Sequence, residues 1–138
     1  MKKIAFVVAL ALLTGVAFGQ TIQKGAVVGL YDIEITLDPD VTMNQYLDFV
    51  LNESFPAWEK HMPGIKLFIL KGFRGDNAKG YGLCVWCESK EVYKKYWDKE
   101  GAPTELLQGL MKNELKEVQE KAKKVGWMSW DFTDYVVL

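Results

Sequence analysis

Two short apolar runs, Ile65 to Leu70 and Tyr81 to Cys87, stand on either side of a stretch that holds Gly72, Gly75, Asp76, Asn77 and Gly80. Each run is too short for a core helix and too apolar for a loop, so each reads as a strand, with the glycine-rich stretch as the hairpin connection. Side chains alternate along a strand, which puts Ile65, Leu67 and Ile69 on one side. A lone hairpin is marginal in water, so this one needs partners from the chain before and after it. The chain before it offers Ala26 to Leu37, where Tyr31, Ile33, Ile35 and Leu37 alternate with Asp32, Glu34 and Thr36. That is the pattern of a half-buried strand, and Asp38-Pro39-Asp40 ends it.

Helical spacing fills the remainder. Thr42 or Asp40 can cap a helix in which Met43, Tyr46, Leu47, Val50, Leu51 and Phe55 recur at steps of three and four, and Pro56 is expected to kink or split it. Pro63-Gly64 stops it. Ser89 can cap a helix carrying Val92, Tyr93, Tyr96 and Trp97, which Gly101-Ala102-Pro103 interrupts. Thr104 caps another, expected to run unbroken to Val125 on the stripe Leu107, Met111, Leu115, Val118, Ala122 and Val125, with Gly126 as its stop. Trp130 to Leu138 alternates again and reads as the last strand.

The resulting order is β-α-β-β-α-β, an α+β class chain with the ferredoxin-like arrangement of two crossovers in a four-stranded antiparallel sheet. Right-handed crossovers place the helices on one face and leave the other bare. Alternation assigns Tyr31, Ile33, Ile35, Leu37, Ile65, Leu67, Ile69, Leu83, Val85, Cys87, Phe132 and Val136 to the covered face. It assigns Asp32, Glu34, Lys66, Phe68, Leu70, Arg74, Cys84, Trp86, Glu88, Asp131, Thr133 and Tyr135 to the bare one.

The first residues have the three zones of a secretory signal: Lys2 and Lys3, an apolar run from Ile4 to Leu13, and small residues ending at Gly19. The apolar stretch is short against the roughly 20 residues of a membrane-spanning helix. Residues 1–19 are therefore expected to be cleaved before Gln20, and no cysteine follows the apolar run to take a lipid. Their removal from the 138 residues leaves 119, a single domain over residues 20–138, and moves the formal charge from −1 to −3. The expected location is secreted or periplasmic. A mildly acidic domain has no electrostatic footprint for nucleic acid or, once the signal is gone, for a membrane.

A bare face carrying Phe68, Leu70, Trp86 and Tyr135 is either a solvated sheet surface or an interface, and a patch of several hundred Å² favours the interface. The run Pro63-Gly64-Ile65 after a helix, the hairpin, Glu88-Ser89-Lys90-Glu91 followed by Tyr93 and Tyr96, and Thr133-Asp134-Tyr135 on the last strand resemble the dimeric α/β-barrel superfamily. That superfamily includes antibiotic-biosynthesis monooxygenases, stress-responsive barrel proteins, small polyketide cyclases and haem-handling members. The resemblance spans about Tyr31 to Leu138 and implies architecture: a homodimer whose bare faces close a barrel, with a cavity for a small organic ligand, aromatic or lipid-like. None of the superfamily's catalytic or haem-ligand motifs is matched, so it implies no reaction.

The bare face supplies the candidate residues. Asp32 and Glu34 start roughly 7 Å apart on one strand face, and if enclosed they repel, so that one can hold a proton and serve as acid or base, with Tyr135 beside them. Lys66, Arg74, Asp131 and Tyr135 can orient a polar ligand group, and Phe68 and Trp86 can wall it. The alternative is a set of ion pairs that neutralises a buried face. Cys84 and Cys87 form C-x-x-C before a helix, which admits a thiol-redox protein; residues three apart on a strand face opposite ways, which argues for two free thiols. The glycines from Gly72 to Gly80 lack the lysine, hydroxyl and following helix of a phosphate loop, and the single histidine, His61, leaves a zinc site short of ligands, so no cofactor or metal is expected. Trp58, Trp97, Trp127 and Trp130 read as core or its border. Three functions follow: a ligand-binding barrel, a cofactor-independent monooxygenase- or cyclase-like enzyme, and a thiol-redox protein.

Overall fold

The structure, a computed structural model, describes residues 22–138. The signal-peptide expectation for residues 1–19 lies outside the described residues. Strands β1 (Val27–Leu37), β2 (Ile65–Lys71), β3 (Tyr81–Cys87) and β4 (Gly126–Val136) form one sheet in the order β2-β3-β1-β4, with every neighbouring pair antiparallel. This is the ferredoxin-like order. Val27 sits opposite both Cys87 and Val136, and Leu37 opposite Gly126, so β1 is paired along its whole length with β4. The β2–β3 hairpin is closed by the Gly72 amide donating to the Gly80 carbonyl at 3.0 Å.

Three helical segments follow β1 without a break between them: α1 (Met43–Phe49), a π-helical turn (Val50–Ser54) and α2 (Phe55–His61). Thr42 opens α1 with a capping box, its hydroxyl accepting from the Gln45 amide at 3.3 Å while Gln45 Oε1 accepts from the Thr42 amide at 2.8 Å. The expected kink or split at Pro56 takes the form of a change of helix type, with α2 opening at the proline behind the π-helical turn. A proline ring crowds the carbonyl four residues earlier, and the chain relieves this by widening one turn, with the Phe55 amide reaching back five residues to Val50.

After β3, Ser89 caps α3 (Lys90–Tyr96) and Thr104 caps α4 (Glu105–Lys112), as the sequence suggests. The single helix expected from Thr104 to Val125 is in fact two, because α4 ends at Lys112 and α5 spans Lys116–Ala122. Asn113 turns its side-chain amide back onto the Gly109 carbonyl at 3.0 Å, and the Leu115 amide skips to Leu110 at 2.9 Å. The wide turn carries Leu115, which is 0% exposed, into the core. Asparagine competes for backbone partners in this way and is a weak helix former.

The last strand also differs from expectation, beginning at Gly126 rather than Trp130 and ending at Val136. At Gly126 φ is +153°, and a β-carbon there would lie 2.6 Å from the Thr36 carbonyl oxygen. Only glycine lets the helix end pass straight into a strand this close to β1. Trp127 consequently lands on the bare face at 60% exposure instead of in the core.

Among the described residues, all five helices lie on the face that carries Val27, Ile33, Ile65, Val85 and Cys87, and the core there has two parts. One gathers Val27, Met62, Ile65, Val85, Cys87, Tyr96 and Leu107. The other gathers Tyr46, Phe49, Val50, Phe55, Leu115 and Val118. Trp58, Leu67, Leu83 and Leu110 touch both.

Candidate functional site

Between the two parts of the core lies a cavity of about 400 Å³. Its floor is the covered face of the sheet, with Tyr31, Leu67, Leu83, Val85, Met128 and Phe132. Its roof comes from the helices and the α3–α4 connection, through Trp58, Met62, Tyr93, Trp97, Leu107 and Met111. The volume falls within the range of small-molecule sites, and the lining is predominantly apolar and aromatic, as such sites are.

The α3–α4 connection is held in place locally. Asp98 Oδ1 accepts from the amides of Glu100 at 2.8 Å and Ala102 at 2.9 Å, and Trp97 forms a backbone bridge with Pro103. This sets Gly101 against Phe132, whose Cζ would be 3.4 Å from a β-carbon at that position.

Behind one end of the cavity, where Tyr31 and Tyr93 line it, lies a polar group. The Tyr93 hydroxyl donates to Asp134 Oδ2 at 2.8 Å, joining α3 to β4. Tyr31 stacks on Phe132 with centroids 5.3 Å apart, and Tyr93 lies 5.4 Å from Trp97. Gly29 makes room for this group. It pairs with Asp134 across the sheet, and a β-carbon on it would stand 2.6 Å from Asp134 Oδ1 and 2.8 Å from Tyr31 Cε2. Both contacts are closer than real β-carbons tolerate, so the carboxylate and the ring occupy the space a side chain would take.

Burial above all, then the negative charge of Asp134, and then Cys87, push the Tyr31 phenol up to about 12. Tyr93 is raised further, by burial first and then by the hydrogen bond to Asp134 and its charge. A phenol that donates to a carboxylate is stabilised in its neutral form, so both rings stay protonated at neutral pH. Burial also raises Cys87 to about 12, with Asp134 and Cys84 adding to it.

The residues expected from sequence to form a site lie on the other side of the sheet, and only some of them converge. Asp32, Arg74, Asp131 and Tyr135 border an open groove of about 550 Å³ with Leu30 and Leu70. Asp32 and Asp131 are directly opposed in the ladder, and Asp32 accepts from Asn77 Nδ2 at 3.3 Å. Glu34 joins the two aspartates in a separate shallow hollow. Lys66 is drawn away, its amine bonded at 2.6 Å to Glu59 of α2, whose other oxygen takes the Leu67 amide at 2.9 Å. Phe68, 45% exposed, and Trp86 stand towards the far end of the face, where Trp86 pairs with Lys66 and Val28.

Cys84 and Cys87 are both free thiols. The β3 ladder runs without a bulge between them, so they point to opposite faces with Cα atoms about 10 Å apart, beyond disulfide reach. Burial raises Cys84 as well, which disfavours the reactive thiolate.

Sequence reasoning did not single out the polar end of the cavity, though two signals point to it. Asp134 falls at a covered-face position between Phe132 and Val136, where a carboxylate must find a donor, and Gly29 interrupts the covered face of β1 where a side chain is due.

No family model matches the chain, and no curated protein is significantly similar to it. Solved structures do resemble it. A dimeric protein of unknown function with a ferredoxin-like fold, from Bacteroides fragilis, is 15% identical over 84% of this chain and 99% of its own, with a TM-score of 0.44. A variant of SnoaB, a cofactor-independent oxygenase from Streptomyces nogalater, is 8% identical over 79% of this chain and 91% of its own, also at 0.44. A dabb family protein with a ferredoxin-like fold, from Mesorhizobium loti, is 13% identical over 83% of this chain and 99% of its own, at 0.43.

Proposed function

We propose that the protein binds a small, mainly apolar aromatic molecule in the cavity between sheet and helices, and that two copies associate through their uncovered sheet faces. The cavity itself carries this reading: about 400 Å³ walled mainly by aromatic and methionine side chains, with Tyr31, Tyr93 and Ser54 as its hydroxyl-bearing residues. A site of this composition gains affinity from burial and orientation from one or two hydrogen bonds. The ligand position differs from the one expected from sequence, since the covered side of the sheet offers the more enclosed and more apolar space. Turnover of the monooxygenase or cyclase kind finds less support, because Asp32, Glu34 and Tyr135 lie across the sheet from this cavity.

For the association, the uncovered face holds Leu30, Phe68, Leu70, Trp127 and Tyr135, each more than 40% exposed. Apolar side chains so concentrated on one flat face mark an interface. Arg74 stands near the opposed pair Asp32 and Asp131, so both signs of charge are on hand for a two-fold contact. Export rests on the pattern of residues 1–19; an intact mass that begins at Gln20 supports it, and one that retains Lys2 and Lys3 removes it.

The ligand reading is tested with 2-naphthol, a neutral bicyclic aromatic with one hydroxyl, titrated into the mature protein by calorimetry. Saturable binding at one site per chain is expected. Absence of heat and of any competition by other aromatic molecules would count against the cavity as a binding site.

A further inference from the structure

We infer that the cavity selects an organic cation, a quaternary or similarly bulky substituted ammonium, held against the rings of Tyr31, Tyr93, Trp97 and Phe132, with Asp134, hydrogen-bonded behind the Tyr93 ring, as a counter-charge one side chain away. This rests on the ligand-cavity reading above and names the ligand's class.

Three observations lead there. The first is the charge behind Tyr93. Asp134 takes part in none of the ion pairs formed among the described residues, and its one side-chain hydrogen bond there comes from the neutral phenol of Tyr93. A carboxylate has about four acceptor positions, so most of its capacity is unused by that bond. The second is the lining, in which no lysine, arginine or histidine appears among the described residues. Asp134 is not itself a lining residue, but it stands directly behind Tyr93, and no cation in the lining answers its charge. The third is the kind of wall. Tyr31, Phe132, Tyr93 and Trp97 come as two adjacent ring pairs, with centroids 5.3 and 5.4 Å apart. Aromatic faces attract a cation through the ring quadrupole, and tryptophan and tyrosine do so best.

The two phenols strengthen the effect by remaining neutral. Burial and the charge of Asp134 keep both protonated, so they offer ring faces and polarised oxygens at any physiological pH. By donating to Asp134, the Tyr93 hydroxyl also becomes a better acceptor on its own oxygen, which passes part of the carboxylate's charge into the cavity. A primary ammonium wants three acceptors and gives up its water reluctantly. A quaternary one has no N–H to satisfy and presents carbon to the rings, which suits walls with few polar atoms.

The test compares two molecules of the same shape, phenyltrimethylammonium and tert-butylbenzene, which differ in a charged nitrogen against a neutral carbon. The wild-type protein is expected to bind the cation roughly tenfold more tightly. Asp134→Asn keeps an oxygen for the Tyr93 hydroxyl and removes the charge, and is expected to erase most of that preference, read as the ratio of the two affinities in the same variant. Trp97→Leu is expected to reduce the preference by removing a ring face. Equal affinity of wild type for the two molecules overturns the inference, and that comparison needs no variant to fold. A preference untouched by Asp134→Asn overturns it too. If tert-butylbenzene and 2-naphthol bind and the cation does not, the cavity reading stands and the cation fails; if none of the three binds, the cavity reading itself has failed.

Discussion

Aspartate in place of Phe68 is expected to leave the protein monomeric at concentrations where the parent is expected to sediment as a dimer. Phe68 lies on β2 opposite Cys84, 45% exposed on the uncovered face, and its ring contributes to none of the core clusters. The substitution therefore barely affects the folded chain, while it sets an unpaired charge in the proposed apolar contact. Truncating an aromatic anchor at an interface commonly costs about 2 kcal/mol or more, and a buried unpaired carboxylate adds to that, so dimer affinity should fall by roughly thirty- to a thousandfold. Sedimentation velocity on both proteins reads this directly. A parent that is already monomeric, or a Phe68→Asp protein that stays dimeric, removes the proposed role of this face.

Leu115→Ala is expected to be the most damaging single truncation for stability. Leu115 is 0% exposed, sits at the break between α4 and α5, and packs with Tyr46, Phe49, Val50, Phe55 and Val118. Removing its buried methyl groups loses their transfer free energy and leaves a hole that rigid aromatic neighbours cannot close, at a cost of about 2–5 kcal/mol. Urea unfolding should show a lower midpoint at an unchanged slope. A loss under about 1 kcal/mol would mean that the broken helix relaxes to fill the gap. The same change made at Leu106, which is 51% exposed, should shift the midpoint little.

Much of the architecture was readable because side-chain alternation is a strict rule on a paired strand. Tyr31, Ile33, Ile35 and Leu37 fall where period two puts them, and the register of β1 with β3 and β4 keeps all four on the helix side. Caps were equally direct, since Thr42, Ser89 and Thr104 each take the amide three residues on. What sequence missed depends on contacts between distant segments. The break at Asn113 has no signature against a continuous stripe, because Leu115 remains on that stripe whether the helix is whole or broken. The strand start at Gly126 looks from sequence like a helix stop, and it is one, but nothing local announces that the next residue already pairs with β1.

The site was harder to read for a physical reason. Alternation sorts residues between the two faces without saying which face encloses space. Charged residues drew attention to the uncovered side, where Asp32, Glu34 and Lys66 alternate visibly with apolar neighbours. The cavity lies on the covered side because the two clusters there, though joined through Trp58, Leu67, Leu83 and Leu110, leave space between them, and no run of residues encodes a gap. The polar group beside it needs Gly29 on β1, Tyr93 on α3 and Asp134 on β4, far apart in the chain and brought together only by the fold.

The claim on which the rest depends is that a ligand enters between sheet and helices. Methionine methyl groups carrying carbon-13 report on this, since Met62, Met111 and Met128 line the cavity and Met43 does not. Added 2-naphthol should shift the first three signals and leave that of Met43 in place. All three cavity methyls unmoved at saturating 2-naphthol would contradict it.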